Sequence, residues 1–432
     1  MADPFARAVS FFTQLISDLS GPAMLALPHR DVEEMAAVRG RELARLLLQA
    51  HLDLRARREE AELTALDTCS RAALAGGRTR LERGHHRELA TVIGTVRVTR
   101  CALRSPGRTS CYPADKVLGL PHERHSHGVR RLAVLEAVRG SYDTAMEAIT
   151  RACGKVVGKR QVEHLVQAAA VDVAAFYAGR TPTPASAATL LVLSVDGKGI
   201  VMRPGHLREA TRKAAERAKR TFRTRLAIGE KTGRQRMATL AAVYDADPAV
   251  RRPHDVIAPP GGRSTSRIPR SGPKAQAKWL AGSVEHDPEY VIAAAFDQAQ
   301  ARDPQHRRCW VVLVDGARHP LDLIQAEAER RGWIAVKAAR ILRGCAHQAA
   351  AEIRAEADHH KLTGDQRTAA DKACHYLNNN ADFVHYDRAL AAGWPIASGV
   401  IEGAARHLIA DRLGITGSRW SVPGAEALLI LR

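Results

Sequence analysis

Aromatic residues make up only 4% of the 432 residues of this chain. Cysteine is sparse too: the seven thiols stand at 69, 101, 111, 153, 309, 345 and 374, with no Cys-x-x-Cys pair. An odd, dispersed set argues against a disulfide framework and against a structural zinc site, and suits reduced thiols in the cytoplasm. No apolar run approaches the roughly 18 residues that a membrane span requires. The N-terminus, MADPFARAVSFFTQ, has an early acid and no basic stretch before an apolar run, so a secretory signal is not expected. There is no internal repeat of solenoid length.

What the chain has in excess is positive charge. Lys and Arg number 65 against 46 acids, a formal net charge of +19. Such an imbalance implies a polyanionic partner, most simply nucleic acid, because each neutralised phosphate releases condensed counterions. A membrane surface is less suited, since no long basic amphipathic helix with bulky apolar residues is present. The length and a hydrophobic content of 45% allow two or three domains with a substantial core.

The N-terminal part reads as mainly helical. VEEMAAVRGRELARLLLQAHLDLRARREE, Val32 to Glu60, has helical apolar spacing. At TVIGTVRVTRCAL, Val92, Val96 and Val98 alternate with polar residues around Gly94, which predicts a short strand or hairpin. RSPGRTSCYPADKVLGLPHE reads as loop. HERHSHG, His122 to Gly128, offers three histidines but no fourth ligand nearby, and is not expected to hold zinc. Helices follow at VRRLAVLEAVRG, SYDTAMEAITRACG and GKRQVEHLVQAAAVDVAAFY. The glycine-containing turn before Lys159, Arg160 and Gln161 fits a helix-turn-helix-like segment near 140–170. GRTPTPASAAT is a linker, so the expected domains are 1–180 and 181–432.

The second domain opens on TLLVLSVDGKGI. Its nearly continuous apolar run, Leu190 to Val195, predicts a buried strand ending at Asp196. CWVVLVDGARHP repeats the arrangement with Asp315, 119 positions on (315 − 196). One such aspartate is often only a turn former. Two on neighbouring strands would bring like charges together, which a hard divalent cation compensates. A third carboxylate is available in GWPIASGVIEGAARHLIADRLGITGSRW, where Glu402 falls in the first turn of a helix starting near Ser398, with Arg406 one turn on. A dipole-favoured acid or an i,i+4 ion pair with Arg406 is the other reading. RMATLAAVYDADP predicts another strand whose Asp245 and Asp247 mark a turn. Between these lie basic runs: Arg212, Lys213 and Arg220 in a helical stretch, then Arg263, Arg267, Arg270, Lys274 and Lys278 in a flexible loop, spaced to follow a phosphate backbone.

Asp196 in VDGKG, Asp315 in VDGARHP and Glu402 in SGVIEGAARH resemble the DDE signature of ISKra-type insertion-sequence transposases. DRLGITGSRW, YPADKVLGLP and KRQVEHLVQAAAVDVAAFY are similar to that family as well. The resemblance spans nearly the whole chain. It implies an α/β, RNase H-like catalytic domain with a basic insertion at about 203–303, preceded by a helical DNA-binding region. It also implies cleavage of transposon ends and strand transfer with two Mg²⁺ or Mn²⁺ ions, Asp196 bridging both and Asp315 and Glu402 completing one each. The partners would be DNA ends and target, engaged by a homo-oligomer on paired ends. Lys198 and His319 stand beside the aspartates, and Arg419 and Trp420 are candidates for DNA contact by charge and stacking, although a lone tryptophan is more often a core residue.

The chain departs from the pattern after LDLIQAEAERRG. The resemblance implies a full strand there, then an Asp-Phe-x-His segment and an aromatic-rich helix. The sequence instead offers WIAV before KAARILRGCAHQAAAEIR turns helical, and it ends within GAEALLILR. The expectation is therefore a catalytic domain incomplete after 332 and at its C-terminus. The alternative to an active transposase is a remnant that only binds DNA.

Overall fold

The computed structural model describes residues 3–179, 185–217, 235–256, 268–314, 318–331, 346–379, 386–415 and 418–432. It is a mixed α/β chain that divides into two compact units, Met1–Val171 and Asp172–Arg432. No described helix is long and apolar enough to cross a membrane. The six described cysteines are free thiols.

The first unit is built around the helix His29–Ala65 and a long antiparallel hairpin, β1 (Arg80–Thr91) and β2 (Gly94–Arg104). Leu52 of the helix packs with Leu89, Val96 and Val98, and Leu63 with Cys101 and Leu103. Polar bonds set the register between the two. Gln49 exchanges bonds with the backbone of Arg97, at 2.9 and 2.8 Å, and the Glu59 carboxylate accepts from the backbone N–H of Cys101 and Ala114. Burial raises the Glu59 pKa despite those two donors. The hairpin predicted around Gly94 is present, but β1 reaches back to Arg80, into a stretch that reads as helical. Its sequence, RLERGHHRELAT, buries only its last three residues, so it carries almost no strand pattern.

The helices His127–Arg139, Tyr142–Cys153 and Lys159–Ala170 pack on one another. Ser126 and Ser141 cap the first two, each side chain accepting from a backbone N–H three residues on. Gly154 (φ 78°) turns the chain out of the second helix in a left-handed conformation that suits glycine. His125, one of the three clustered histidines, is buried, and burial lowers its pKa.

The second unit holds a four-stranded mixed sheet. β3 (Leu190–Val201), β4 (Gln235–Ala246) and β5 (Ala275–Ser283) form an antiparallel meander, β6 (Trp310–Leu313) runs parallel to β3, and the order is β5-β4-β3-β6. Leu191, Leu193 and Val195 of β3, with Ala241 and Val243 of β4, pack against Val291, Ile292, Ala295, Phe296 and Ala299 of the helix Pro288–Arg302. The span 203–303, expected to be a basic insertion, thus contributes two of the four strands and this core helix. β5 escapes the sequence reading because its Ala, Gln and Lys residues are largely exposed and its pairing is borrowed from β4. A helical hairpin, Ala346–His359 and Gly364–Asn379, follows, with the Cys374 thiol donating to the Ala350 carbonyl at 3.2 Å.

One end of the sheet is closed by ions. Asp245, a turn residue by sequence, lies within β4 and is buried. It receives Arg308 Nη2 at 2.6 Å and Arg302 Nη1 at 3.4 Å. Arg308 also donates to the carbonyls of Thr189 and Leu190, while Asp303 accepts from the backbone N–H of Arg307 and Arg308 and from the Trp310 indole. These bonds join the starts of β3 and β6 to the end of β4.

Candidate active site

Asp196 lies at the other end of β6, not at the end of β3. β3 continues five residues past it, paired without interruption with β4 from Gly197↔Thr239 to Val201↔Gln235. The Asp-Gly pair is therefore not a tight turn. Gly197 and Gly199 sit in extended backbone, where a Cβ would stand 3.2 Å from Met237 Cε and 2.4 Å from Gln235 Oε1. What stops near Asp196 is β6: the parallel register runs from Leu191↔Trp310 to Ser194↔Leu313. Asp196 is two residues beyond Ser194, and Asp315 is two residues beyond Leu313 in sequence. The strands expected to be neighbours are neighbours and in step. Asp315 itself lies outside the described residues.

Asp196 is half-buried, and its Oδ1 accepts from the Gly197 N–H at 2.7 Å. Strand alternation gives it the parity of Val192 and Ser194, opposite to the face covered by the helix Pro288–Arg302. The helix Gly399–Ala404 packs against β3 and β4, and none of its residues belongs to the core under that first helix. It begins after Ser398, as the sequence predicts, with Ile401 buried and Glu402 exposed in its first turn. The Ser398 hydroxyl donates to Glu402 Oε1. The next six residues, Ala405–Ala410, form a π-helical turn. An extra residue per turn rotates the side chains beyond Ala404 about the axis, so the Glu402–Arg406 pair weighed from sequence does not form. Arg406 faces Asp411 at 3.7 Å instead.

The approach to this helix is pinned to the segment that follows β4. Gly393 (φ 72°) accepts through its carbonyl from Ala249 N at 2.8 Å, and Arg251 donates to the Trp394 carbonyl at 2.6 Å. Burial lowers the Arg251 pKa, partly offset by Asp255. Beyond Asp196, β3 meets the C-terminal block: Trp420 N donates to Val201 O at 3.1 Å and Arg203 N to Trp420 O at 2.8 Å. The last helix, Val422–Leu431, then returns to β5, where Glu426 accepts from the N–H groups of Val284 and Glu285.

Among the expected DNA-contacting residues, Lys198, Arg212, Lys213, Arg270, Lys274, Arg406 and Arg419 are not buried. Lys213 pairs with Glu209 at 2.6 Å, and the Arg270 N–H meets Asp255. Arg220, Arg263 and Arg267 lie outside the described residues. Trp420 departs from expectation: it is 6% exposed, its indole donates to the Leu413 carbonyl at 3.0 Å, and the Arg412 guanidinium lies 4.6 Å over its ring. Its apolar faces are used in the interior, so it presents no surface for a base. Arg203 is a candidate that sequence reasoning misses. It is exposed and bonded to Trp420, and its sequence signal is no more than its place just after β3.

Among the described residues, no three His, Cys, Asp or Glu side chains are grouped as a metal would need. Asp315 is not one of the described residues. No protein-family model matches the chain, and no curated protein matches it in sequence.

Proposed function

We propose that the chain is a DNA transposase of the insertion-sequence kind, which binds the ends of its element and cuts them with a divalent metal ion. One observation carries the reading. Two adjacent parallel strands, in register, each run into Val-Asp-Gly, so that Asp196 and Asp315 follow paired positions. The helix bearing Glu402 packs on β3 and β4. The order β5-β4-β3-β6, an antiparallel meander followed by a strand parallel to its first member, supports an RNase H-like reading. The net charge of +19 supports a polyanionic substrate. The three mutually packed helices to which Lys159 belongs support a helix-turn-helix-like element in the first unit.

The donor set suits the ion: Asp196, Asp315 and Glu402 are all carboxylates, the hard oxygen ligands that Mg²⁺ or Mn²⁺ prefers. Bound there, the metal would supply charge neutralisation at a scissile phosphate and an activated water or 3′-hydroxyl. The chain's own part is placement. β3 holds Asp196 in its ladder with β4, two residues past the end of the pairing with β6, Ser398 orients Glu402, and Lys198, Arg203 and Arg419 offer accessible cations for the DNA backbone.

A second reading, a DNA-binding protein without catalysis, is favoured by the sequence after LDLIQAEAERRG, which offers only WIAV where the resemblance implies a full strand. Residues 332–345, where that strand is expected, lie outside the described residues. One experiment separates the two. Purified protein is given labelled DNA carrying the element's ends with Mg²⁺ or Mn²⁺, beside Asp196→Asn and Glu402→Gln. Nicking at the element boundary that both substitutions abolish, with binding retained, supports the transposase. Salt-sensitive binding without nicking by any of the three selects the second reading. Nicking that survives both substitutions rejects the carboxylate site.

A further inference from the structure

The N-terminal helix Ala6–Ser20 has an apolar arc wider than the helix packed beside it covers. Ala8 and Leu15 are buried, on the side where the helix packs along His29–Ala65. That packing is fixed by Arg39, which pairs with Asp18 at 3.1 Å and lies 4.9 Å over the Phe11 ring. Val9, Phe12 and Ile16, spaced by three and four residues, form the adjoining shoulder of the same arc. They are 57%, 49% and 50% exposed, and Leu25 of the neighbouring helix Pro22–Leu25 is 77% exposed. On two consecutive helices these four side chains expose on the order of 400 Å² of apolar surface, comparable with the largest patches on ordinary monomers, which are often functional.

We propose that this shoulder is the contact by which two copies of the chain associate, paired across a two-fold axis. Charge selects the occupant. From Ala8 to Ser17 the helix carries no charged residue on any face, in a chain whose formal charge is +19. A polyanion finds nothing to bind there. An anionic lipid surface is recognised by Lys and Arg on the polar face of an amphipathic helix, and here that face is Ser10, Thr13, Gln14 and Ser17. Two strongly basic copies repel one another over most of their surface, so they meet at least cost where the surface is uncharged and apolar. A two-fold contact also needs a patch complementary to itself, which a neutral apolar stripe satisfies with no pairing of opposite charges. The patch is about half of one partner's share of a standard interface, so it forms the centre of the contact, with the uncharged polar residues around it as the rim.

The inference stands apart from the transposase reading, because its test reads mass without nucleic acid. Nuclease-treated full-length protein in high salt is run by sedimentation velocity beside Phe12→Glu/Ile16→Glu. The wild type is expected at twice the chain mass of 46.9 kDa and the variant at one chain mass, with matching far-ultraviolet circular dichroism. Should the glutamate variant not fold, Phe12→Gln/Ile16→Gln takes its place, with at least a tenfold weaker dimer expected. A wild type that stays a single copy at high protein concentration overturns the proposal and leaves the stripe to another part of the same chain. A doubled mass that survives the substitutions overturns it as well. So does sedimentation with neutral phosphatidylcholine vesicles that the substitutions abolish, since that assigns the stripe to a lipid surface.

Discussion

Replacing Asp245 by alanine removes the carboxylate that faces two guanidiniums at the closed end of the sheet. Arg308 is 3% and Arg302 8% exposed in their side chains, so neither charge can turn to water without disturbing the ends of β3, β4 and β6. Burial already lowers the pKa of Arg302, with Asp245 the main opposing influence. Breaking a buried ion pair from one side costs about 3–5 kcal/mol. Arg308 keeps its bonds to the carbonyls of Thr189 and Leu190, which places the expected loss near the lower bound, about 3 kcal/mol. The measurement is simplified by the sequence: all five tryptophans lie in the second unit, at 279, 310, 333, 394 and 420, so urea unfolding followed by tryptophan fluorescence reports on that unit alone. With a slope of about 1–3 kcal/mol per molar urea, the midpoint should fall by about 1–3 M. Asp245→Leu with Arg308→Met should recover much of the loss, because an apolar pair of similar volume leaves fewer charges stranded. A shift under about 1 kcal/mol for the single variant, or a double variant worse than the single one, would refute the reasoning.

Three further outcomes are expected. Gly393→Ala, at φ 72° with a new Cβ 2.5 Å from Ala249 N, should cost more than the about 1–3 kcal/mol of a strained backbone and lower the thermal midpoint of the second unit. Asp303 has its carboxyl pushed up by burial but held below the usual range by Trp310, Arg308 and Arg307. Its contribution to stability is therefore present above the unfolded value and lost as pH falls through the lower folded one, so Asp303→Asn should flatten the acid limb of a stability curve below about pH 4. Arg270→Ala and Lys274→Ala should each weaken DNA binding at low salt and reduce the salt slope by about 0.9 per lost phosphate contact, read by fluorescence anisotropy across a salt series.

The sequence exposes those parts of the fold that are buried on both faces. β3 and β4 are visible as apolar runs because neighbours cover them on both faces, β6 because its four apolar residues are buried or half-buried, and the helix start at Ser398 is visible because Ile401 must turn inward beside an exposed Glu402. β1 and β5 are not visible, since their side chains face largely outward and their backbone pairing depends on partners fixed elsewhere. The continuation of β3 past Asp196 is hidden for a related reason. Gly197 and Gly199 signal a turn in isolation, yet β4 supplies an unbroken ladder that holds them extended. The ion cluster is unreadable because Asp245 and Arg308 are 63 residues apart. For Trp420 the sequence leaves DNA stacking and a core position both open, for want of any local sign that Val201 and Leu413 would enclose it.

The strand that carries Asp196 is fastened at both ends. Upstream, Leu191 N donates to the Cys309 carbonyl and Arg308 clasps the carbonyls of Thr189 and Leu190. Downstream, Val201 and Arg203 are tied to Trp420. Such a strand behaves as a stretched cord, not as a free arm, and the excursions of a carboxylate at its middle are small. Shortening the chain ahead of Trp420 would release one fastening without touching any candidate metal ligand. The amide of Arg203 would then exchange with solvent faster, and Asp196, seven residues upstream (203 − 196), would lose positional order through slack in the backbone while its own hydrogen bond remained intact.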